Sequence, residues 1–250
     1  MKSSRLLLSL ALAAFSSAAF AAESGFKSIF NGKDLTGWEG LPFWSVKDGA
    51  IVGQTTAEKP TKGNTFLVYK GGEPANFELR AQFRLTGQND KNWANSGIQY
   101  RSHIVDAAGF VVGGYQADMD SPFKYTGMLY EEKGRGILMN TGEKIKIGAT
   151  TKVEDTKKKG GTRSHTEVEK LPGATPTAEV EAAYKLGQWN EIAIIAEGNH
   201  LRHYINGKQT ADIIDTDATL GAKSGIIALQ LHAGQPMTVE FKNIRLKTLP

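Results

Sequence analysis

Asn95-Ser-Gly-Ile-Gln-Tyr-Arg101, Gly113-Gly-Tyr-Gln-Ala-Asp-Met-Asp120 and Gly127-Met-Leu-Tyr-Glu-Glu132 are three pieces of one stretch in which polar residues alternate with residues of β character. Side chains on a strand point to opposite faces in turn. Gln99 and Arg101 are therefore predicted to leave one face together and Ile98 and Tyr100 the other. The next piece repeats the pattern with Gln116, Asp118 and Asp120, and Ile226-Ile-Ala-Leu-Gln-Leu-His232 repeats it again with Gln230 and His232. Amides, an arginine, carboxylates and an imidazole on one sheet face suggest a sugar site.

Outward from this block the chain keeps the two-residue period. Phe77, Leu79, Ala81, Phe83 and Leu85 alternate with Glu78, Arg80, Gln82 and Arg84, the mark of an antiparallel strand with one wet face. Asp48-Gly49 and Asn206-Gly207 are hairpin turns by composition. Residues 141 to 177 lose the apolar period and read as a loop insertion, with a small hairpin over Lys144 to Val153 and solvated lysines. Thr177 to Gly187 is the one good helix, capped by Thr177 and ended by Gly187, short and peripheral. About a dozen short strands with tight turns and one small helix predict an all-β fold, a jelly-roll β-sandwich of two antiparallel sheets in a single domain spanning 22–250.

The chain opens Met1-Lys-Ser-Ser-Arg5, runs apolar from Leu6 to Phe15 and reaches Ala19-Phe20-Ala21, so residues 1–21 read as a secretory signal peptide cleaved after Ala21. The apolar run is short of the ~20 residues that span a bilayer, so no membrane association is expected after cleavage. The expected location is periplasmic or secreted, in a bacterium. The chain contains no Cys, which excludes a disulfide framework and thiolate metal sites. Its formal charge of +4 falls toward balance once Lys2 and Arg5 are removed, and nothing argues for a nucleic-acid partner.

Among candidate chemical groups, Asp118 and Asp120 share a face beside Gln116, where a sandwich glycosidase would want a second carboxylate ~5–5.5 Å away. An amide at position 116 cannot be a nucleophile, and Asp120 reads equally as a carboxylate supporting a turn. His232 ends a strand in register with Gln230, and an imidazole near its ordinary pKa is a usable base. His200 and His203 lie three apart, on opposite faces of a strand, and do not form a zinc pair; His203 is a candidate for the pocket. Arg101 either binds a sugar oxygen or neutralises Asp118. Tyr130 is the one aromatic singled out for substrate contact, because Glu131 and Glu132 mark its strand as nearing the surface.

Several of these runs, in order along the chain, resemble the 3-keto-disaccharide hydrolase family: Phe30-Asn-Gly-Lys-Asp-Leu-Thr-Gly-Trp38, Asn95-Ser-Gly-Ile-Gln99, Tyr115-Gln-Ala-Asp118, Gly127-Met-Leu-Tyr130, Trp189-Asn190, His203-Tyr-Ile-Asn-Gly207, Ile227-Ala-Leu-Gln-Leu-His232 and Phe241-Lys-Asn-Ile244. The resemblance implies a concanavalin A-like jelly roll and a hydrolase that cleaves glycosides oxidised at C3, by β-elimination from C2 followed by hydration. It implies His232 or Asp118 as the base, and Glu131 or Tyr130 as the acid for the leaving oxygen. Gln99, Arg101, Gln116, Gln230 and His203 would bind the sugar. It departs at one place: where the family's pattern carries Glu then Gln, this chain has Gln116 and Asp118, which leaves open which of the two acts. No cofactor is otherwise implied, although a divalent cation held by Asp118, Asp120 and His232 is an alternative way to polarise the ketone. A carbohydrate-binding, lectin-like module and a conventional glycosidase are the alternatives on the same fold.

Overall fold

Asp48-Gly49 and Asn206-Gly207 do turn the chain tightly: all four residues have positive φ (51°, 75°, 48° and 78°), as a two-residue hairpin loop of right-handed strands requires. The structure is a computed structural model describing residues 24–154 and 161–250. The signal-peptide reading of 1–21 lies outside the described residues.

The strands, in chain order, are β1 (Lys27–Ser28), β2 (Trp38–Glu39), β3 (Trp44–Lys47), β4 (Ala50–Thr55), β5 (Thr65–Tyr69), β6 (Phe77–Gly87), β7 (Ala94–Asp106), β8 (Val111–Ser121) and β9 (Leu129–Glu132). They continue with β10 (Gly136–Met139), β11 (Lys144–Glu154), β12 (Thr162–Lys170), β13 (Asn190–Glu197), β14 (His200–Ile205), β15 (Lys208–Asp215), β16 (Ile226–Leu231) and β17 (Met237–Thr248). One sheet has the order β12-β11-β15-β14-β13-β6-β17-β4-β3, with β1 added beside β17; the other has the order β10-β9-β8-β7-β16-β5-β2. Their facing sides form one core, in which Phe77, Leu79, Phe83 and Phe241 of the first sheet meet Ile98, Tyr100, Leu229 and Leu231 of the second. Each such side chain, fully buried, contributes about 1.5–3 kcal/mol. This is the jelly-roll sandwich expected, and among the described residues no helix is long and apolar enough to cross a membrane.

Two expectations change. Within the expected loop, Lys144–Glu154 and Thr162–Lys170 are strands: β11 pairs parallel with β15 and antiparallel with β12, extending the first sheet. In β11 only Ile145 and Ile147 are buried, and β12 is exposed along almost its whole length. A ribbon wet on both faces has no apolar alternation to read, so its pattern imitates a loop. The helix α1 covers only Thr177–Ala183, after Pro176, with no side-chain cap. Thr177 Oγ instead donates to Thr141 O (3.1 Å). The helix stops at Tyr184, short of Gly187, because that ring packs against Phe83 and Phe123 and its hydroxyl donates to Asp120 O (3.0 Å).

Candidate functional site

The outer face of the second sheet carries the site. Antiparallel registers set Gly97 opposite Asp118, Gln99 opposite Gln116, and Gln116 opposite Tyr130. On β16 the even positions share this outer face while Ile227, Leu229 and Leu231 enter the core, so Gln230 and His232 arrive beside them. Gly97 is what lets Gln116 lie across β7, since a Cβ there would come within 2.5 Å of the Gln116 Cγ and Cδ. The result is a hollow of about 200 Å³ walled by Gln116, Asp118, Tyr130, Glu132, Gln230 and His232. Asn64, Asn95, Tyr125, Met128 and Ile137 complete it.

Asp118 is 4% exposed. Asn95 Nδ2 donates to its Oδ1 (2.9 Å), and the Gln116 amide lies 3.0 Å from its Oδ2. Burial is the largest influence on its carboxyl and pushes the pKa well above the usual range, against the pull of the two amides. His232 moves the opposite way for the same reason: burial lowers its pKa below 6.5. Its Nδ1 lies 2.5 Å from Ala233 O, a pure acceptor, so Nδ1 carries the proton and Nε2 the lone pair. The Trp93 ring meets the imidazole edge to face at 5.2 Å. Burial also raises the Tyr130 phenol, with Glu132 adding to the shift.

Glu132 Oε2 accepts from Asn64 Nδ2 (3.2 Å) and from Gln230 Nε2 (3.3 Å). Gln230, 1% exposed, is left with an Oε1 that has no donor among the described residues. A buried amide oxygen without a donor costs free energy unless a ligand supplies one.

Of the predicted residues, the hollow brings together His232, Asp118, Tyr130, Gln116 and Gln230. Gln99 lies directly behind it, fully buried, with its amide 2.9 Å from that of Gln116. Arg101 is elsewhere. It has φ 46°, the β7–β8 register shifts between Tyr100 and His103, and the guanidinium donates to the backbone oxygens of Ala75, Gly198 and Ala222. This bulge rotates Arg101 out of the alternation that would have placed it beside Gln99. It neither faces the hollow nor pairs with Asp118.

His203 is also misplaced by the sequence reading. It is buried in the core, 2.7 Å from Tyr100 Oη, with its pKa lowered to about 4 by burial. Asp120 accepts from Lys124 N, Tyr125 N and Thr126 Oγ1, so it holds the turn that carries Tyr125 and does not join Asp118 and His232 as a metal site. Among the described residues no group of three or more His, Cys, Asp or Glu could hold a metal ion.

Glu131 points into the core, where Arg135 donates to both its oxygens (2.8 and 2.9 Å) and also pairs with Asp215 (2.8 Å). Tyr115 Oη donates to the same Asp215. Alternation puts Tyr130 and Glu132, not Tyr130 and Glu131, on one face; Glu132 is the acid the sequence reading missed, and a period-two count from Tyr130 finds it. Asn64 had no local signal. Glu131→Ala would remove one of the carboxylates around a buried guanidinium that still keeps Asp215, and is expected to cost about 1.5–3 kcal/mol, the usual worth of hydrogen bonds to a charged group, a fall in Tm of roughly 3–12 °C. Thermal unfolding checks this. A variant with unchanged Tm but no activity would return Glu131 to the site.

Comparison with known proteins agrees with the fold. A protein assigned as a glycosyl hydrolase, from Parabacteroides distasonis ATCC 8503, superposes with TM-score 0.55 at 20% identity, over 90% of this chain and 94% of that one. The carbohydrate-binding module CBM66 from Bacillus subtilis gives TM-score 0.52 at 14% identity, over 86% and 98%. A protein with a galectin-like fold from Bacillus subtilis gives 0.51 at 10%, over 86% and 90%. At these identities the likeness is one of fold. Among curated proteins none is similar. The family described as the 3-keto-alpha-glucoside-1,2-lyase-like domain matches residues 25–247, nearly the whole chain and every strand around the hollow, and this protein, whose function is accordingly carbohydrate-related, belongs to that family.

Proposed function

We propose that the hollow binds the oxidised ring of a 3-keto-glycoside and cleaves its glycosidic bond by elimination and rehydration. The observation that carries the reading is the pairing, in one hollow, of an imidazole and a carboxyl whose pKa values burial drives in opposite directions. Environments that push two titratable groups apart in this way separate the roles of acid and base. His232 Nε2 removes the proton from C2, which the neighbouring ketone acidifies. The C1–oxygen bond breaks, the electron pair of the C2–H bond becomes the C1–C2 double bond, and Asp118 protonates the departing oxygen. Water then adds its oxygen to C1 and a proton returns to C2, so the net change is hydrolysis. Family membership supports the substrate class.

The amides behind Asp118 support its role as the acid. Gln99 is best satisfied with its nitrogen toward Ser102 Oγ, Tyr115 O and Gly114 O (2.7, 3.0 and 3.2 Å) and its oxygen toward Gln116. If Gln116 turns over in response, in place of the donation that pulls the Asp118 pKa down, its oxygen would lie 3.0 Å from Asp118 Oδ2 and a proton on Asp118 would join the two. Tyr130 and Asn95 can donate to the ketone oxygen as the enolate develops. Gln230 Oε1 takes a ring hydroxyl, and Glu132 fixes Gln230. No step is routed through a metal.

The deciding assay offers the protein a 3-keto-glucoside and the matching unoxidised glucoside in deuterated water. Cleavage of the ketone alone, with deuterium at C2 of the released sugar, is expected. Cleavage of both without label would make it a conventional glycosidase, and binding without turnover a lectin-like module.

A further inference from the structure

The first sheet ends on β12, whose free edge is unlike the other sheet ends. Those are β3, β2 and β10, of four, two and four residues, whereas β12 has nine residues, Thr162–Lys170, and neither Gly nor Pro. Short edge strands, prolines and bulges are what keep an edge from pairing with another chain. The bulge of this ribbon falls on its inner strand: between the pairs Ile147↔Val168 and Thr150↔Thr166, β11 has Gly148 and Ala149 against Glu167 alone. β12 is thus left regular, and among the described residues no strand covers its outer edge. We infer that this edge pairs antiparallel with the same edge of a second copy of the chain, about a two-fold axis at Thr166, so that the first sheet runs on through a dimer.

Charge on the strand is self-complementary about that axis. Side chains alternate along β12, so Arg163, His165, Glu167 and Glu169 share one face and Ser164, Thr166 and Val168 the other. In an antiparallel pair centred on Thr166, Arg163 faces the partner's Glu169, His165 faces the partner's Glu167, and the axis repeats each pairing. Groups directly opposite on neighbouring strands are close enough to interact, and opposite charges there stabilise the pair. Adjacent registers lose this match. Centred on His165, the imidazole meets its own copy and Glu169 meets the partner's Gly161; centred on Glu167, two carboxylates face each other. A parallel pair in register sets every charge against its like. Among the described residues the four charged or imidazole side chains of this face have no ion-pair partner within the chain.

The ribbon gains from being covered. Every residue of β12 except Thr166 is exposed, Val168 among them at 42%, and a two-stranded ribbon with so little burial is marginally stable by itself. Joining two ribbons makes four adjacent strands, in which main-chain hydrogen bonds supply the affinity and the side-chain pairs fix the register. The side-chain hydrogen bond between Thr150 and Thr166 (3.0 Å) then continues across the axis as a row of threonines, and Val168 gains the partner's Ser164 beside it. The edge belongs to the first sheet and the hollow to the outer face of the second. Pairing is therefore independent of the reaction proposed above.

Sedimentation velocity of the purified protein over a micromolar concentration series is expected to show a monomer–dimer equilibrium. Glu169→Arg, and separately Arg163→Glu, set like charges across the axis and should raise the dimer dissociation constant roughly tenfold. The double variant Arg163→Glu/Glu169→Arg should return it to near the wild-type value. Both side chains are exposed, so unchanged circular dichroism is expected throughout. Because the chain has no Cys, Thr166→Cys places a single thiol on the axis and should cross-link two copies under mild oxidation, whereas Thr162→Cys, at the strand end, should not. A protein that stays monomeric across the series overturns the inference, as does a dimer indifferent to both charge reversals. A double variant as weak as the single ones, or cross-linking by Thr166→Cys no better than by Thr162→Cys, overturns it too.

Discussion

His232→Ala is expected to lower kcat/KM for a 3-keto-glucoside on the order of 10²–10⁴-fold, the usual worth of a positioned general base, with little change in Tm. The imidazole is well placed for this role and little used by the fold. It is partly exposed at the end of β16, its Nδ1 proton is taken by Ala233 O, and its Nε2 lone pair has no protein donor among the described residues. Removing it opens space in a hollow and leaves no buried polar partner stranded. The variant should also stop solvent deuterium from entering C2 of a bound 3-keto sugar, an exchange that reports proton removal apart from bond cleavage. Full activity with full exchange in His232→Ala would end the proposed mechanism.

Asp118→Asn should have the second large effect, on the order of 10²–10³-fold in kcat/KM for a saccharide leaving group, and its pH profile tells acid from base. In the wild type the profile rises as His232 loses its proton, below pH 6.5 because burial lowers that pKa, and falls as Asp118 ionises, well above 3.8 because burial raises that one. Asparagine removes the falling limb and leaves the rising limb in place. A p-nitrophenyl aglycone, which departs without a proton, should recover most of the lost rate. An Asp118→Asn variant that loses the rising limb instead would make Asp118 the base.

Stability supplies an independent sign. With its pKa raised on folding, Asp118 stabilises the native state below its unfolded pKa, and that contribution is lost as pH rises through the folded value. At neutral and alkaline pH the native protein therefore bears the strain of a buried carboxyl that the unfolded chain ionises freely. Asp118→Asn, isosteric and neutral, is expected to hold or raise Tm there. Gain in stability with loss of turnover is the pattern of a group kept for chemistry.

Much of the site was readable before any coordinates because alternation along a strand is a local property. A polar residue two positions from another shares its face wherever the strand ends up, so Gln116 with Asp118, and Gln230 with His232, followed from the residues alone. The same rule read carelessly gave Glu131, whose neighbour Glu132 holds the outward position. Arg101 failed for a different reason: one residue in the left-handed region breaks the period, and nothing in Gln99-Tyr-Arg-Ser-His103 announces the bulge.

By itself, then, the sequence determined the sandwich, the composition of each strand face and the family, since all three are written in order along the chain. Tertiary structure alone decided which faces meet. The approach of Asn64 to Glu132, the contact of Trp93 with His232 and the burial that drives Asp118 and His232 apart in pKa all join residues far apart in the chain. Desolvation depends on what surrounds a group in three dimensions, and no spacing along a chain encodes it.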